Sequence, residues 1–150
     1  MNVTVKLKKL ITIVLAVAIL VGVGAWLYSL IFLSPNLTGV VAATTQDRIG
    51  YLKSLGWDAS DEKTDTVLIP EEFDEVFNHY NSLQTECGFD LSNQKGKTLT
   101  RYIYTIQNHP EQKQGDIVKA ELLLDENNEI VGGSIYSLRL DGFMTGLCKK

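Results

Sequence analysis

Hydrophobic and polar positions divide this chain at about residue 34. From Ile11 to Leu33 the sequence ITIVLAVAILVGVGAWLYSLIFL carries no charge and no proline. At 1.5 Å per residue, about 20 helical residues cross a hydrocarbon layer ~30 Å thick, so residues 11–33 are expected to form a transmembrane helix. Trp26 and Tyr28 fall toward its outer half, where amphipathic rings favour the interface. Beyond it the pattern becomes periodic. Ile49, Leu52 and Leu55 make an apolar stripe over Thr45–Leu55, preceded by a capping box in Thr44-Thr45-Gln46-Asp47 and closed by Gly56. Trp57 stands where a hydrophobic contact back to Leu52 completes a Schellman stop. Phe73, Val76, Phe77, Tyr80, Leu83 and Cys87 recur at three and four, with Pro70 as first helical residue, acidic side chains in the first turn and Gly88 as the stop.

Four runs read as strands. Thr66–Ile69 is short and β-rich, Thr98–Gln107 is aromatic and β-branched, Ile117–Leu124 alternates, and Ile130–Leu138 follows a turn built on Asn127-Asn128. Val118, Ala120, Leu122 and Leu124 share one face, with Lys119 and Glu121 on the other. The Gly132-Gly133 pair suits a bulge or a close approach of a helix to the sheet. Antiparallel strands after helices, with no crossover helices between them, give an α+β class. The expected layout is two helices and a mainly antiparallel four-stranded sheet, with a helix packed on one face, resembling the cystatin-like and other small helix-on-sheet folds.

Charge orients the chain. Lys6, Lys8 and Lys9 sit directly before the apolar run and the next basic residue is Arg48, so the N-terminus stays cytoplasmic and the rest lies outside. The organisation is then a basic cytoplasmic segment at 1–10, the span at 11–33, a tether at 34–44 and an extracytoplasmic domain at 45–150. A cleaved signal peptide is the rival, with Val41-Ala42-Ala43 as cleavage site, although an apolar region of about 7–15 residues is usual there and this one is longer. The 150 residues include 18 acidic and 14 basic ones, net −4. Without the three N-terminal lysines the balance is 11 basic against 18 acidic, or −7. An acidic domain lacks the basic footprint that nucleic acid requires.

Candidate chemistry is sparse. The two cysteines, Cys87 and Cys148, either bond outside the membrane or leave Cys87 as a buried thiol on the apolar face of the second helix. A Cys87–His79 nucleophile pair fails on distance, since eight residues of helix separate Cα atoms by ~12 Å. His109-Pro110 is ordinary loop chemistry, and two histidines without a ligand spacing give no metal site. Asp125, Asn127 and Glu129 alternate like a calcium loop, yet Ile130 stands where the glycine belongs and Tyr136 where the closing Glu belongs, so a hairpin turn is expected. Glu71, Glu72, Asp74 and Glu75 read chiefly as charge matched to the helix dipole. Ser134 and Ser137 have no nearby base. No cofactor is implied. The candidate interaction surface consists of Tyr102 and Tyr104, which share a strand face, and of Phe143 and Met144 in the glycine-flanked tail.

An ordered series of short matches runs from Arg48-Ile49-Gly50-Tyr51-Leu52 and Leu55-Gly56-Trp57 through Ile69-Pro70-Glu71-Glu72-Phe73, Tyr80-Asn81, Leu83-Gln84, Gly88-Phe89-Asp90-Leu91 and Arg101-Tyr102-Ile103-Tyr104. It closes on Asp141-Gly142-Phe143-Met144 and Gly146-Leu147. The series resembles a domain-of-unknown-function family carried behind one N-terminal span in Firmicutes, especially clostridia, over about residues 47–147. That resemblance implies the location and architecture, brings no catalytic residue or ligand, and leaves Cys87 and Cys148 outside its pattern.

The function expected is a membrane-anchored extracytoplasmic module that is not an enzyme and acts in protein interaction or envelope sensing, with a protein partner in the envelope. The alternatives are a cell-surface enzyme whose site the fold assembles, and a secreted inhibitor released near Ala43.

Overall fold

The computed structural model describes residues 18, 19, 21–23 and 37–148. Two compact units divide at Pro35 and Asn36. In the first, the five described residues are helical, with Ile19, Val21 and Val23 exposed. The span expected at 11–33 lies otherwise outside the described residues, among which no helix is long and apolar enough to cross a membrane.

The second unit is α+β. Helix α1 covers Thr45–Ser54, strand β1 Ala59–Leu68, helix α2 Glu75–Thr85, β2 Thr98–Ile106, β3 Val118–Leu124, β4 Ile130–Ser137 and β5 Met144–Gly146. Single turns of 3-10 helix lie at Leu91–Gln94 and Pro110–Gln114. The strands form one antiparallel meander in the order β1-β2-β3-β4-β5. Five strands stand where four were expected, because the tail pairs Met144, Thr145 and Gly146 with Tyr136, Ile135 and Ser134. The first strand is also longer at its start than the short β-rich run. Its leading residues, ASDEKTD, are polar as befits an edge strand, and an apolar pattern could not reveal them.

Helix α1 forms as its sequence dictates. The Asp47 backbone N–H donates to Thr44 Oγ1 at 3.2 Å and the Thr44 N–H to Asp47 Oδ2 at 3.0 Å, closing the capping box. At the other end Trp57 N–H reaches Leu52 O and Gly56 N–H reaches Lys53 O, both at 2.9 Å, with Gly56 at φ 85°. That pair of bonds is the Schellman stop. Helix α2 ends the same way, with Phe89 N–H on Gln84 O and Gly88 N–H on Thr85 O. Its start differs from expectation. The helix begins at Glu75 rather than at Pro70, with Asp74 as the N-cap whose carboxylate accepts from Phe77 N–H at 2.8 Å. Val76 is consequently turned to solvent, 78% exposed, rather than into the apolar stripe.

Alternation along the central strands settles what each face carries. Tyr104 pairs with Ala120 and Ile103 with Glu121, so Tyr104 and Glu121 point to opposite faces. Arg48 of α1 donates to the Tyr104 hydroxyl, and the Tyr80 hydroxyl of α2 donates to Glu121. The helices therefore cover opposite faces, where one covered face was expected. One core cluster holds Leu52, Leu55, Trp57, Tyr104, Leu122, Ile135 and Leu147 among others, and the second holds Ile69, Leu91, Leu99 and Leu123 with Phe73, Phe77 and Tyr80 against it.

Between Leu37 and Ala43 the chain is fixed to the domain rather than free as a tether. Ile130 N–H donates to Val40 O and Ala42 N–H to Asn128 O, and Ala42 is fully buried. Arg48, only 4% exposed, ties this segment to the sheet: it donates to the carbonyls of Ala42 and Ala43, to Thr45, to Glu62 and to Tyr104. Its guanidinium carbon also lies 3.6 Å from the centre of the Tyr102 ring. Glu62 reaches this point because Asp61 and Glu62 together oppose Tyr104, a bulge with Asp61 at φ 58°. Tyr104 in turn donates to Glu62. An isolated buried guanidinium is costly, and five partners together offset that cost.

Burial by itself pushes the Glu62 carboxyl up, and hydrogen bonds from Tyr104, Thr45 and Arg48 with the Arg48 charge outweigh it, leaving it below its ordinary 4.5. A carboxylate lowered in this way stabilises the fold above its unfolded value and loses that contribution as pH falls through the folded one. Urea unfolding of Glu62→Gln is thus expected to show a loss of stability at neutral pH and a shallower decline below pH 4.5 than the native chain. Parallel acid profiles of the two proteins would contradict this role for Glu62.

Candidate functional site

Two concave regions flank β5. The first forms where α2 ends. Cys87, at the end of that helix, is bonded to Cys148, S–S 2.03 Å, across 61 residues of sequence. The bond fixes the tail against the helix, and Gly146 is required there: a Cβ at 146 would stand 2.6 Å from both Cys87 Sγ and Leu83 O. Trp57 Nε1–H donates to Leu147 O at 2.9 Å, adding a second fastening. His109 lies between Trp57 and Phe143, ring centres 5.7 and 4.9 Å away and near parallel to both. Beside this stack is a cavity of about 450 Å³ bordered by Trp57, Leu83, His109, Pro110, Thr145 and Cys148.

The second region is a groove of about 310 Å³ between α2 and the sheet. Its walls are apolar, with Val67, Phe77 and Leu123 among them and Met144 on the rim, 44% exposed. Its floor is polar. Glu121, 5% exposed, accepts from Tyr80 Oη and Ser134 Oγ through the same oxygen, Oε1, each at 2.7 Å. The other oxygen, Oε2, lies 3.7 Å from Arg101 Nη1. Arg101 holds Asp65 through Nε at 2.7 Å and Nη2 at 2.6 Å, a bidentate pair on neighbouring strands. Hydrogen bonding to Asp65 raises Arg101, and the same contact lowers Asp65. Burial pushes the Tyr80 hydroxyl well above its usual value, and the Glu121 charge and hydrogen bond add to it. Burial followed by the Glu121 charge also raises Tyr136. All four groups are held in their ordinary protonation states at neutral pH.

The residues picked out by sequence scatter across the domain. Tyr104 is fully buried and Tyr102 half-buried under Arg48, so the two form no exposed aromatic strip; α1 covers that face. Phe143 is half-buried in the aromatic stack, and only Met144 of the four candidate surface residues is exposed. His79 is exposed on α2, apart from the stacked His109. Ser134 donates to Glu121, and Ser137 donates to Asp116 at 2.6 Å. Asp141 is exposed and pairs with Arg139 at 3.8 Å. Asp125 is a turn residue, its Oδ1 accepting from the N–H of Asn127 and of Glu129, with Asn128 at φ 60°. Among the described residues no group of acids, histidines or cysteines is placed to hold a metal ion.

The groove floor escaped sequence reading because Lys119 and Glu121 alternate with aliphatic residues and so read as a solvated face. One signal was available. Glu121 pairs across the ladder with Ser134, beside the Gly132-Gly133 pair, and a carboxylate opposite small residues marks a place where a covering element comes close.

A family model described as a domain of unknown function (DUF4830) matches residues 51–135. No curated protein and no solved structure matches the chain significantly.

Closing a loop of about 60 residues is worth about 4 kcal/mol in the chain-entropy model. Urea unfolding with and without reductant is expected to show a loss approaching that size, and the Cys148→Ser protein to behave like the reduced chain in both conditions. Unchanged stability on reduction would mean that the bond restrains nothing.

Proposed function

Given that the chain belongs to the DUF4830 family, we propose that it is a non-catalytic binding module, anchored in the membrane by residues 11–33 and displayed outside the cell, working in protein interaction or envelope sensing. The observation that carries this reading is the Cys87–Cys148 bond. Disulfides persist in oxidising compartments and are rare where thiols are kept reduced. The uncharged run at 11–33 and the lysines before it supply an anchor and its orientation, independently of the bond. The resemblance noted from the sequence, with its Asp141–Leu147 tail, supports a Gram-positive, clostridial envelope as part of this reading.

Two features favour binding over chemistry at the groove. Its tyrosines are raised and its arginine stays charged, so these groups are fixed donors rather than groups poised to exchange a proton near neutral pH. An apolar concavity with a few placed polar atoms is the usual form of a recognition site. Cleavage after Ala43, which a secreted inhibitor needs, would remove Ala42 from the core together with the Val40 carbonyl that Ile130 uses. An uncleaved anchor keeps both.

Protease added to intact cells is expected to digest the outer domain, and a photocrosslinker at Met144 to trap a discrete protein. A domain that survives on intact cells and disappears only on lysis would overturn the displayed topology. A Met144 probe that yields no defined adduct would overturn interaction at this surface.

A further inference from the structure

We propose that the Cys87–Cys148 bond is a redox latch on the outer edge of β4: a dithiol reductant attacks Cys148, opens the bond and releases the β5 tail, while α1, α2 and β1–β4 stay folded. The inference concerns the regulation of the two concave regions and rests on the binding-module reading.

What the latch holds is small. β5 pairs only Met144, Thr145 and Gly146 with the sheet, and three residues are too few to keep a strand at an edge by themselves. Hydrogen bonds from Ser137 N–H to Phe143 O and from the Trp57 indole to Leu147 O add to them. Among residues 144–148, Leu147 has the only fully buried side chain. What stays behind does not draw on the tail. Each helix has its own N-cap, and the buried ties to the sheet run from Arg48 to Tyr104 and Glu62, and from Tyr80 to Glu121. The family match ends at residue 135, inside β4 and ahead of both β5 and Cys148. The bond therefore sets the tail and the concave regions, and the caps and ladders of the rest form without it.

The bond is reachable from one side. Cys87 is only 5% exposed, with Gly146 packed against its sulfur, whereas Cys148 is half-buried and borders the cavity of about 450 Å³. Access decides which sulfur of a disulfide is attacked, so an incoming thiolate is directed to Cys148. It forms a mixed disulfide there, and the electron pair of the broken S–S bond leaves on Cys87, whose sulfur already accepts from the Cys148 N–H at 3.1 Å. The second thiol of the reductant then displaces Cys148. The dithiol loses two electrons and two protons and becomes a disulfide, and Cys87 and Cys148 gain them as two thiols.

Opening acts on both concave regions. The cavity loses Thr145, Gly146 and Cys148 from its wall, and the groove loses Met144 from its rim. β4 also loses partners along its outer edge. Gly133 N–H meets Gln84 and Ser137 N–H meets Phe143 on that side, so by alternation the N–H of Ile135, opposite Thr145, points there as well. One bond thus selects between a closed and an open form of the module.

The test uses the full chain, isotopically labelled in lipid nanodiscs without denaturant and treated with dithiothreitol. Thiols are counted by alkylation while backbone amide exchange is followed. Amide exchange at Ile135, Ser137 and Thr145 is expected to speed up about tenfold or more on reduction, while Leu122 and Leu123 of β3 keep their protection. The Cys87→Ser, Cys148→Ser double variant is expected to show the fast exchange with no reductant, and a photocrosslinker at Met144 to lose its protein adduct when the bond opens. A bond that resists dithiothreitol until denaturant is added would overturn the latch, as would unchanged exchange once both thiols are free. Loss of protection throughout β3 would overturn it too, because the bond would then hold the whole fold. Met144 adducts unaffected by tail release would remove the control over binding. Tail release as described, with no Met144 adduct in either state, would leave the latch standing and remove the binding module.

Discussion

Covalent closure of the C-terminal tail onto the end of α2 is the constraint on which the remaining architecture depends. Three residues of β5 form too short a strand to hold themselves at a sheet edge, and the Cys87–Cys148 bond keeps them there. With the tail in place, Leu147 enters the core and its carbonyl accepts from the Trp57 indole. The same bond borders the cavity on one side of β5, while Met144, the first residue of the strand, forms the rim of the groove on the other. A single crosslink thus shapes both concave regions.

Both faces of the sheet are covered by helices of only ten and eleven residues, lengths at which isolated helices are marginal in water. Each helix is held by caps, by apolar packing and by one buried polar tie to the sheet. The two ties differ in their partners. Arg48 meets two carbonyls, a threonine, a tyrosine and a carboxylate, and its network is closed. Glu121 on the opposite face engages Tyr80 and Ser134 through one oxygen and pairs with Arg101 through the other. A satisfied network of this kind fixes structure.

Local signals in the sequence carried much of the fold. The capping box at Thr44 and the Schellman stops at Gly56 and Gly88 depend on neighbours a few residues apart, and they were legible for that reason. β2, β3 and β4 were legible from β-branched and alternating residues. Elements set by distant partners were not. β1 is polar along its edge and bulged at Asp61 and Glu62, and β5 exists because of a partner strand and a crosslink. Pro70 mimics a helix start, but Asp74 supplies the cap. Burial of Arg48 and Glu121 was hidden because a charged residue in an amphipathic pattern reads as solvated until its covering element is known. Tyr102 and Tyr104 were misread for the complementary reason: which face a helix covers is a tertiary property.

The redox state of the Cys87–Cys148 pair in its own cells, read by thiol alkylation and mass spectrometry before and after reduction, bears most directly on the central claim that a crosslinked tail shapes a domain displayed outside the membrane. The expected result is a peptide pair that resists alkylation until reduced. Two freely alkylated thiols in freshly quenched cells would contradict both the crosslinked architecture and the proposed extracytoplasmic location.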